Sequence, residues 1–175
     1  WAAGRATGCA SRDERGAAPE AQPVRMVDST LLTGVLSVDT GHSHACARTS
    51  AGSVYCWGEN KYGQLGDGAV INRARAALVS GLSAVADVAV GGSHTCARKT
   101  DGTLWCWRHN FAGQLGDGTT QDKVWPVQAG VDTLGSAVAE IAVGGGHTCA
   151  RKTDGTLWCW GHNNQTQLGD GSTDD

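Results

Sequence analysis

The sequence has no long apolar run, few prolines and no excess of positive charge. No stretch of its 175 residues approaches the roughly 18 apolar residues of a membrane-spanning helix, so the sequence excludes such a span. A formal net charge of −3 gives no basic footprint for nucleic acid. The 3 prolines against 26 glycines favour many tight turns over a disordered chain. A hydrophobic fraction of 40% is sufficient for a core.

One segment is present in three similar copies. It reads GHSHACARTSAGSVYCWGENKYGQLGDG from Gly41, and close copies begin at Gly91 and Gly144. Equivalent residues lie about 50 to 53 positions apart, a period that indicates one supersecondary unit copied along an array, as in solenoids and propellers. Such units stabilise one another by stacking. The repeat therefore predicts a scaffold whose function depends on surfaces that the repeat itself does not specify.

Each copy is predicted to form short strands joined by glycine-rich turns. Asp101-Gly102 and Asp154-Gly155 separate alternating runs, which is a strong β-hairpin signal. With a later edge strand at 124–127, the count is about four strands per unit, as in a propeller blade. We expect repeats over about 31–80, 81–133 and 134–175, the last of them incomplete. Residues 1–30 are expected to form a degenerate half blade or a disordered lead.

The repeated segment resembles the repeat of the regulator of chromosome condensation family. In the first copy the positions that carry the resemblance are Gly41, His44, Gly52, Trp57, Gly58, Asn60, Gly63, Gln64, Leu65, Gly66, Asp67 and Gly68. The resemblance implies an all-β fold of propeller blades, which in the family close into a seven-bladed ring. Arg108 and Thr166 depart from the pattern, because the other copies have glycine there. A glycine that takes a positive φ is costly to replace.

About three blades are too few for a closed ring of that size. We expect the chain, which begins at Trp1 without an initiator Met, to be a fragment of a longer propeller. Alternatively, two copies associate into a six-bladed ring, or the chain is a stand-alone arc. An exposed sheet edge is a pairing hazard, so an isolated arc should self-associate through its open edges.

Six of the seven cysteines form three pairs with identical spacing: Cys46 and Cys56, Cys96 and Cys106, and Cys149 and Cys159. Each pair straddles a hairpin turn, which places its members opposite one another on neighbouring strands. Cross-strand Cβ atoms lie about 4.5–5.5 Å apart, close to disulfide reach. The resemblance implies aliphatic residues at these positions, and their replacement in pairs also favours disulfides.

Two alternatives to disulfides stay open at this point. His94, Cys96 and Cys106 share a strand face by parity and could supply three ligands of a zinc site. The cysteines could also be free buried thiols. Cys9 is left over, either as a free thiol or as the partner of a cysteine in a lost blade. Disulfides would place the protein outside the cytosol.

The recurrent histidines and aspartates are interpreted as structural. The histidines at 44, 94 and 147 enter a strand after a glycine-containing turn, where they are expected to hydrogen-bond between blade and turn. The aspartates at 67, 117 and 170 follow Leu-Gly and are expected to hydrogen-bond within their own turn. Calcium is the alternative for these oxygen ligands. No serine or carboxylate recurs in register with the histidines to orient a catalytic unit. We also expect no cofactor.

The tryptophans indicate either packing between blades or a contact surface. Those at 105, 107, 158 and 160 alternate along their strands, which predicts packing between blades. Some of them could instead join Trp125, Arg108 and His109 in an exposed anchor for a protein partner. Arg108 and His109 lie where the copies differ, and variation on a regular scaffold is a place for specificity.

The sequence thus predicts a non-catalytic protein-binding scaffold that is extracellular or at the cell surface, with an unknown protein partner. The resemblance implies an alternative, because the founding member of that family is a guanine-nucleotide exchange factor for a small GTPase. That reading would place the chain in the cytoplasm. A metal-binding repeat protein is the less favoured third hypothesis.

Overall fold

The computed structural model describes residues 20–174, which form three antiparallel sheets in an all-β fold. The first sheet contains β1 (Val35–Thr40), β2 (His44–Thr49), β3 (Val54–Gly58) and β4 (Arg73–Leu78). The second contains β5 (Val85–Val90), β6 (His94–Lys99), β7 (Leu104–Arg108) and β8 (Lys123–Ala129). The third contains β9 (Val138–Val143), β10 (His147–Lys152) and β11 (Leu157–Gly161). Nothing within 20–174 forms a helix long and apolar enough to cross a membrane.

Each sheet is a meander in which consecutive strands are neighbours. The central hairpins are fixed by local turn chemistry, since Asp101 Oδ1 accepts hydrogen bonds from the backbone N–H (3.0 Å) and hydroxyl (2.6 Å) of Thr103. Gly102 has a φ of +80°, which this turn requires. Asp154 and Thr156 repeat the arrangement in the third sheet. The hairpins predicted from Asp-Gly are therefore confirmed.

The two faces of each sheet differ in chemistry. In the second sheet, Trp105 and Trp107 lie on the face that packs against the first sheet, in a cluster that includes Cys46, Cys56 and Leu65. The opposite face packs against the third sheet through a second cluster, whose members are Cys96, Leu104, Cys106, Leu115, Ala129, Leu134, Val138, Ile141 and Ala150. The tryptophan face of one sheet thus covers the cysteine face of the sheet before it. This stacking is that of consecutive propeller blades and confirms the predicted fold class.

Hydrogen bonds also join the sheets. His44 Nε2 lies 2.8 Å from Thr95 Oγ1, and His94 Nε2 lies 2.7 Å from Thr148 Oγ1. The indole N–H of Trp107 donates to the carbonyl oxygen of Gln64 at 3.0 Å. His44 and His94 thus each bond to a threonine of the following sheet, whereas the sequence predicted a hydrogen bond to a turn.

The segment before the first sheet lies along two of its surfaces. Met26 forms a parallel bridge with Ala76 at the outer edge of β4. Val24 and Leu31 line a small apolar pocket with Trp57 on the first sheet's tryptophan face. Residues 1–19, and with them Cys9 and most of the predicted half blade or disordered lead, lie outside the described residues.

Candidate protein-binding surface

The loops that follow the third strand of each sheet form one end of the structure, and a buried asparagine organises each of them. In the second sheet, the side-chain amide of Asn110 donates to Asp117 Oδ1 at 3.0 Å and to the carbonyl oxygen of Thr119 at 2.9 Å. Its own amide oxygen accepts the backbone N–H of Leu115 at 2.9 Å. Asn60 makes the equivalent bonds in the first sheet. The recurrent asparagine and aspartate therefore hold the loop in shape.

The aspartates of these loops are occupied by protein groups. Asp67 Oδ2 accepts a hydrogen bond from Arg73 Nε at 2.9 Å, and Asp117 Oδ2 lies 3.6 Å from Lys123 Nζ. Burial alone would raise the pKa of Asp67, but hydrogen bonds from Ala69, Arg73 and Asn60 outweigh it and lower the pKa. No group of three His, Cys, Asp or Glu residues within 20–174 is arranged to hold a metal ion. The carboxylates act here as loop and strand anchors.

Arg108 is the most unusual residue of this end. It pairs with His94 as Gly58 pairs with His44, so it occupies a glycine position of the repeat. Its φ is +90°, a left-handed conformation that favours glycine, and only 8% of the residue is exposed. The guanidinium lies over the Tyr62 ring, 5.4 Å from the centroid, and Nη1 donates to the carbonyl oxygen of Gly92 at 3.3 Å.

The Arg108 guanidinium does not use all of its hydrogen-bond donors. Its Nε is buried and has no hydrogen-bond partner among the described residues. Burial lowers the pKa of Arg108, and the nearby carboxylates of Glu59 and Asp122 act in the opposite direction. Glu59 is itself held by Ser43, whose hydroxyl donates to Oε2 at 2.7 Å. The guanidinium is therefore fixed in place while part of its donor capacity is unused.

His109 and Trp125 lie on the same side of the structure as Arg108. Nδ1 of His109 lies 2.9 Å from Nε2 of Gln114, an amide that is itself buried. Trp125 lies on β8, two residues after Lys123, which pairs with Arg108. Its indole covers Gly68 in the loop of the first sheet so closely that a Cβ at Gly68 would overlap the ring. Arg108 and Trp125 therefore lie along the seam between the first and second sheets, whereas His109 lies beside Gln114, whose carbonyl oxygen accepts the indole N–H of Trp160 in the third sheet.

Two exposed aromatic residues at this end were not predicted from the sequence. Tyr62 is 49% exposed and Phe111 is 78% exposed. Lys61 Nζ lies 4.7 Å from the Tyr62 ring centroid and 3.3 Å from Glu59 Oε1. The signal that could have found them is variation between copies, because 61–62, 111–112 and 164–165 read Lys-Tyr, Phe-Ala and Asn-Gln. We call Tyr62, Arg108, His109, Phe111 and Trp125, which all lie at this loop end of the structure, the seam surface.

The cysteines lie away from the seam surface, within the sheets. Cys46 is bonded to Cys56, Cys96 to Cys106 and Cys149 to Cys159, and the Cα atoms of each pair are 4.1 Å apart. The imidazole of His94 is directed at Thr148 of the next sheet and not at the cysteines. This geometry does not assemble the zinc ligand set that the sequence had left open.

The stacked four-stranded sheets and their asparagine-centred loops define a β-propeller of tandem repeats. Sequence comparison identifies the repeat: a family profile described as the regulator of chromosome condensation (RCC1) repeat matches residues 51–98 and 101–151. A second profile with the same description matches residues 35–64, 85–114 and 138–167. These matches cover more than half of the chain, and the protein belongs to the RCC1 repeat family, as the sequence resemblance predicted.

Several known proteins are similar to parts of this chain. It is 43% identical over 44 residues to the probable human E3 ubiquitin-protein ligase HERC4, a match covering 25% of this chain and 4% of HERC4. The structure of human WBSCR16 superimposes with a TM-score of 0.73 at 24% identity, over 90% of this chain and 40% of WBSCR16. Yeast RCC1 (Prp20), in its complex with Kap60, gives a TM-score of 0.72 at 20% identity, over 82% of this chain and 36% of Prp20. The chain thus spans well under half of each.

Proposed function

We propose that the protein is a non-catalytic, protein-binding scaffold and that the seam surface is its contact site for a protein partner. Exposed aromatic side chains beside an arginine are the composition that dominates binding energy at protein interfaces. Tyr62 and Trp125 are each 49% exposed, and Phe111 is 78% exposed. Tyr62 lies under the Arg108 guanidinium, which is already oriented, so a partner would meet a largely preorganised surface.

The observation that carries this proposal is the backbone of Arg108. A non-glycine residue in a left-handed conformation costs on the order of 1–3 kcal/mol. The first and third sheets avoid that cost with Gly58 and Gly161, whose φ values are +111° and +101°. The second sheet keeps an arginine at φ +90°. Retaining a costly residue beside exposed aromatics supports a role for its guanidinium in binding.

The partner is sought by site-specific photocrosslinking. A photoreactive phenylalanine analogue is placed at Phe111, and at exposed Val131 on the opposite end as the matched control. We expect one protein to crosslink from Phe111 and not from Val131. That protein is then purified, and its affinity is measured for the wild-type chain, Phe111→Ala and Arg108→Gly.

Both substitutions should weaken binding by at least about tenfold, which corresponds to 1.4 kcal/mol. Arg108→Gly restores the repeat's glycine and relieves the left-handed strain, so the variant should unfold at or above the melting temperature of the wild type. Unchanged affinity in both variants would show that the seam surface is not the contact site.

A guanine-nucleotide exchange activity is the second candidate. It is favoured by membership in the RCC1 repeat family, whose founding member is a guanine-nucleotide exchange factor. Release of a fluorescent GDP analogue from a purified Ran-type GTPase measures it directly. We expect no acceleration by this chain, whereas acceleration that Arg108→Gly abolishes would replace the scaffold proposal with an exchange factor acting through the same surface.

We also propose an extracellular or cell-surface location, supported by the three cross-strand cysteine pairs, since disulfides persist in oxidising compartments. Thiol labelling of the protein from its native source tests it. Protected cysteines at all six positions agree with the proposal, and six reactive thiols would favour the cytoplasm.

Self-association is proposed through the outer faces of the first and third sheets. Val38 is 60% exposed beside the half-buried Trp57, and Cys149 and Cys159 are only partly covered. Sedimentation velocity at increasing concentration should then show a rising average mass. A constant monomer mass would contradict this proposal and leave the seam surface proposal unaffected.

A further inference from the structure

The tip of the loop after β11 carries an exposed asparagine that is followed two positions later by a threonine. Residues 164–166 read Asn-Gln-Thr, and the middle residue is not proline. This spacing is the acceptor sequence for N-linked glycans, which are bulky, polar and located at protein surfaces. The asparagines at 60, 72, 110 and 163 have no serine or threonine at that distance. The acceptor sequence is therefore specific to this loop.

The two adjacent asparagines of this loop differ in their surroundings. Asn163 is fully buried, its amide oxygen accepts the backbone N–H of Leu168 at 3.0 Å, and its amide nitrogen donates to the carbonyl oxygen of Asp174 at 2.9 Å. Asn164 is exposed, and among residues 20–174 nothing hydrogen-bonds to its side-chain amide. The first asparagine is therefore required inside the loop, whereas the second is available for modification.

The other two copies show that this position stays at the surface where a further sheet follows. Lys61 and Phe111 are the residues equivalent to Asn164, and each belongs to a sheet that packs against the next one. The Lys61 side chain is 59% exposed and Phe111 is 78% exposed. A glycan on Asn164 would thus project into solvent and not between sheets.

Thr166, which completes the acceptor sequence, is a costly residue for its backbone. Its φ is +58°, and the equivalent Gly63 and Gly113 have φ values of +82° and +70°. A β-branched residue is strained in this left-handed region. The Thr166 hydroxyl donates only to the carbonyl oxygen of the adjacent Gln165, at 2.6 Å. The first two loops are built with glycine, so the fold does not require threonine here, whereas an acceptor sequence at Asn164 does.

We propose that Asn164 is an N-glycosylation site. This inference rests on the extracellular or cell-surface location proposed above, because the transfer takes place on the secretory side of a membrane. The donor is an oligosaccharide whose anomeric carbon is linked to a lipid diphosphate. Nδ2 of Asn164 forms a bond to the anomeric carbon and loses a proton, the bond from that carbon to the diphosphate oxygen breaks, and the lipid diphosphate leaves. The transferase reads the Thr166 hydroxyl before the chain folds, so only Asn164 has to stay exposed afterwards.

Peptide mapping of the protein from its native source tests the site. Trypsin releases the segment that follows Lys152, and electron-transfer fragmentation assigns any added mass to one residue. We expect sugar on Asn164 and none on Asn163. Thiol labelling of the same sample separates this proposal from the location on which it rests. Unmodified Asn164 in protein whose six paired cysteines are oxidised would overturn the glycan alone, and unmodified Asn164 together with reactive thiols would overturn both.

Substitutions within the acceptor sequence provide the matched controls. The whole chain is secreted from a eukaryotic cell line, behind a secretion signal, as the wild type, Asn164→Gln, Thr166→Gly and Thr166→Ser, and the intact masses are compared. The wild type and Thr166→Ser should carry a glycan, because serine also supplies the hydroxyl. Asn164→Gln and Thr166→Gly should carry none, and Thr166→Gly restores the repeat's own residue, so it should fold. A wild type without a glycan, or a glycan that persists in Asn164→Gln or Thr166→Gly, would overturn the proposal.

Discussion

Nε2 of His94 lies 2.7 Å from the hydroxyl oxygen of Thr148, a residue of the next sheet. The same hydroxyl donates to the carbonyl oxygen of Gln114 at 2.8 Å, and that carbonyl also accepts the indole N–H of Trp160 at 3.0 Å. Buried Thr148 therefore connects His94 with Gln114, which lies in the loop after the third strand of the second sheet. Ala45 occupies the threonine position in the first sheet.

Thr148→Val should lower the free energy of unfolding by about 1–3 kcal/mol, because it leaves the buried His94 Nε2 without its partner. Thr95→Val should have a similar effect through His44. The exposed Thr153→Val is the matched control and should stay within about 0.5 kcal/mol of the wild type. Denaturant unfolding measures all three, and equal stability of Thr148→Val and Thr153→Val would contradict the role of the hydrogen bond.

The free energy of unfolding should decrease as the pH is lowered from about 6.5 to about 4. Burial, helped by the charge of Arg108, lowers the pKa of His44 to about 4 and that of His94 to about 3, while Glu59 opposes the shift at His44. Both folded pKa values lie below the unfolded value of 6.5. The histidines' contribution is therefore complete above about pH 6.5 and is lost as the pH falls toward the folded pKa.

Each histidine should contribute a slope of about 1.4 kcal/mol per pH unit within this window. Urea unfolding at several pH values measures the slope. His44→Gln should make it shallower. A slope that is the same in the wild type and in His44→Gln would disprove the assignment to His44.

Removing a disulfide should destabilise the sheets. Cys96→Ala with Cys106→Ala should cost about 2–4 kcal/mol, because the unfolded chain gains freedom and the buried pair leaves a cavity. Cys149→Ala with Cys159→Ala should cost less, since that pair is only partly buried. Alkylation of the denatured wild-type chain without reductant should add one group, on Cys9. Seven added groups in the intact mass would show that the bonds do not form in the protein.

Thr166 provides a test of the cost of a left-handed backbone at an exposed position. It has a φ of +58°, where the other copies have Gly63 and Gly113, and it is exposed. Thr166→Gly should raise the free energy of unfolding by about 1 kcal/mol, because a β-branched residue is strained there. Gly113→Thr is the reverse exchange at an open site and should lower it by a similar amount. Thermal unfolding that moves both variants in the same direction would refute this account.

Local features and packing faces could be predicted from the sequence, and the particular side-chain contacts between copies could not. Asp101-Gly102 identified a hairpin because the turn is made by residues adjacent in the chain. The tryptophan pair at 105 and 107 identified a packing face because strand side chains alternate. In contrast, Arg108 over Tyr62 and Trp125 over Gly68 depend on how two sheets are oriented, which no spacing within one copy records. The binding roles of Arg108, His109 and Trp125 stay predictions.

The unlike faces of each sheet, tryptophan on one and disulfide on the other, give the stack a polarity. A sheet can be added only with its indole side toward the cystine of the sheet before it, so every junction is heterologous and has the same sense. Two molecules could extend the array head to tail but not by bringing like faces together. The rotation at each junction then decides whether growth ends in a closed ring or continues as a filament.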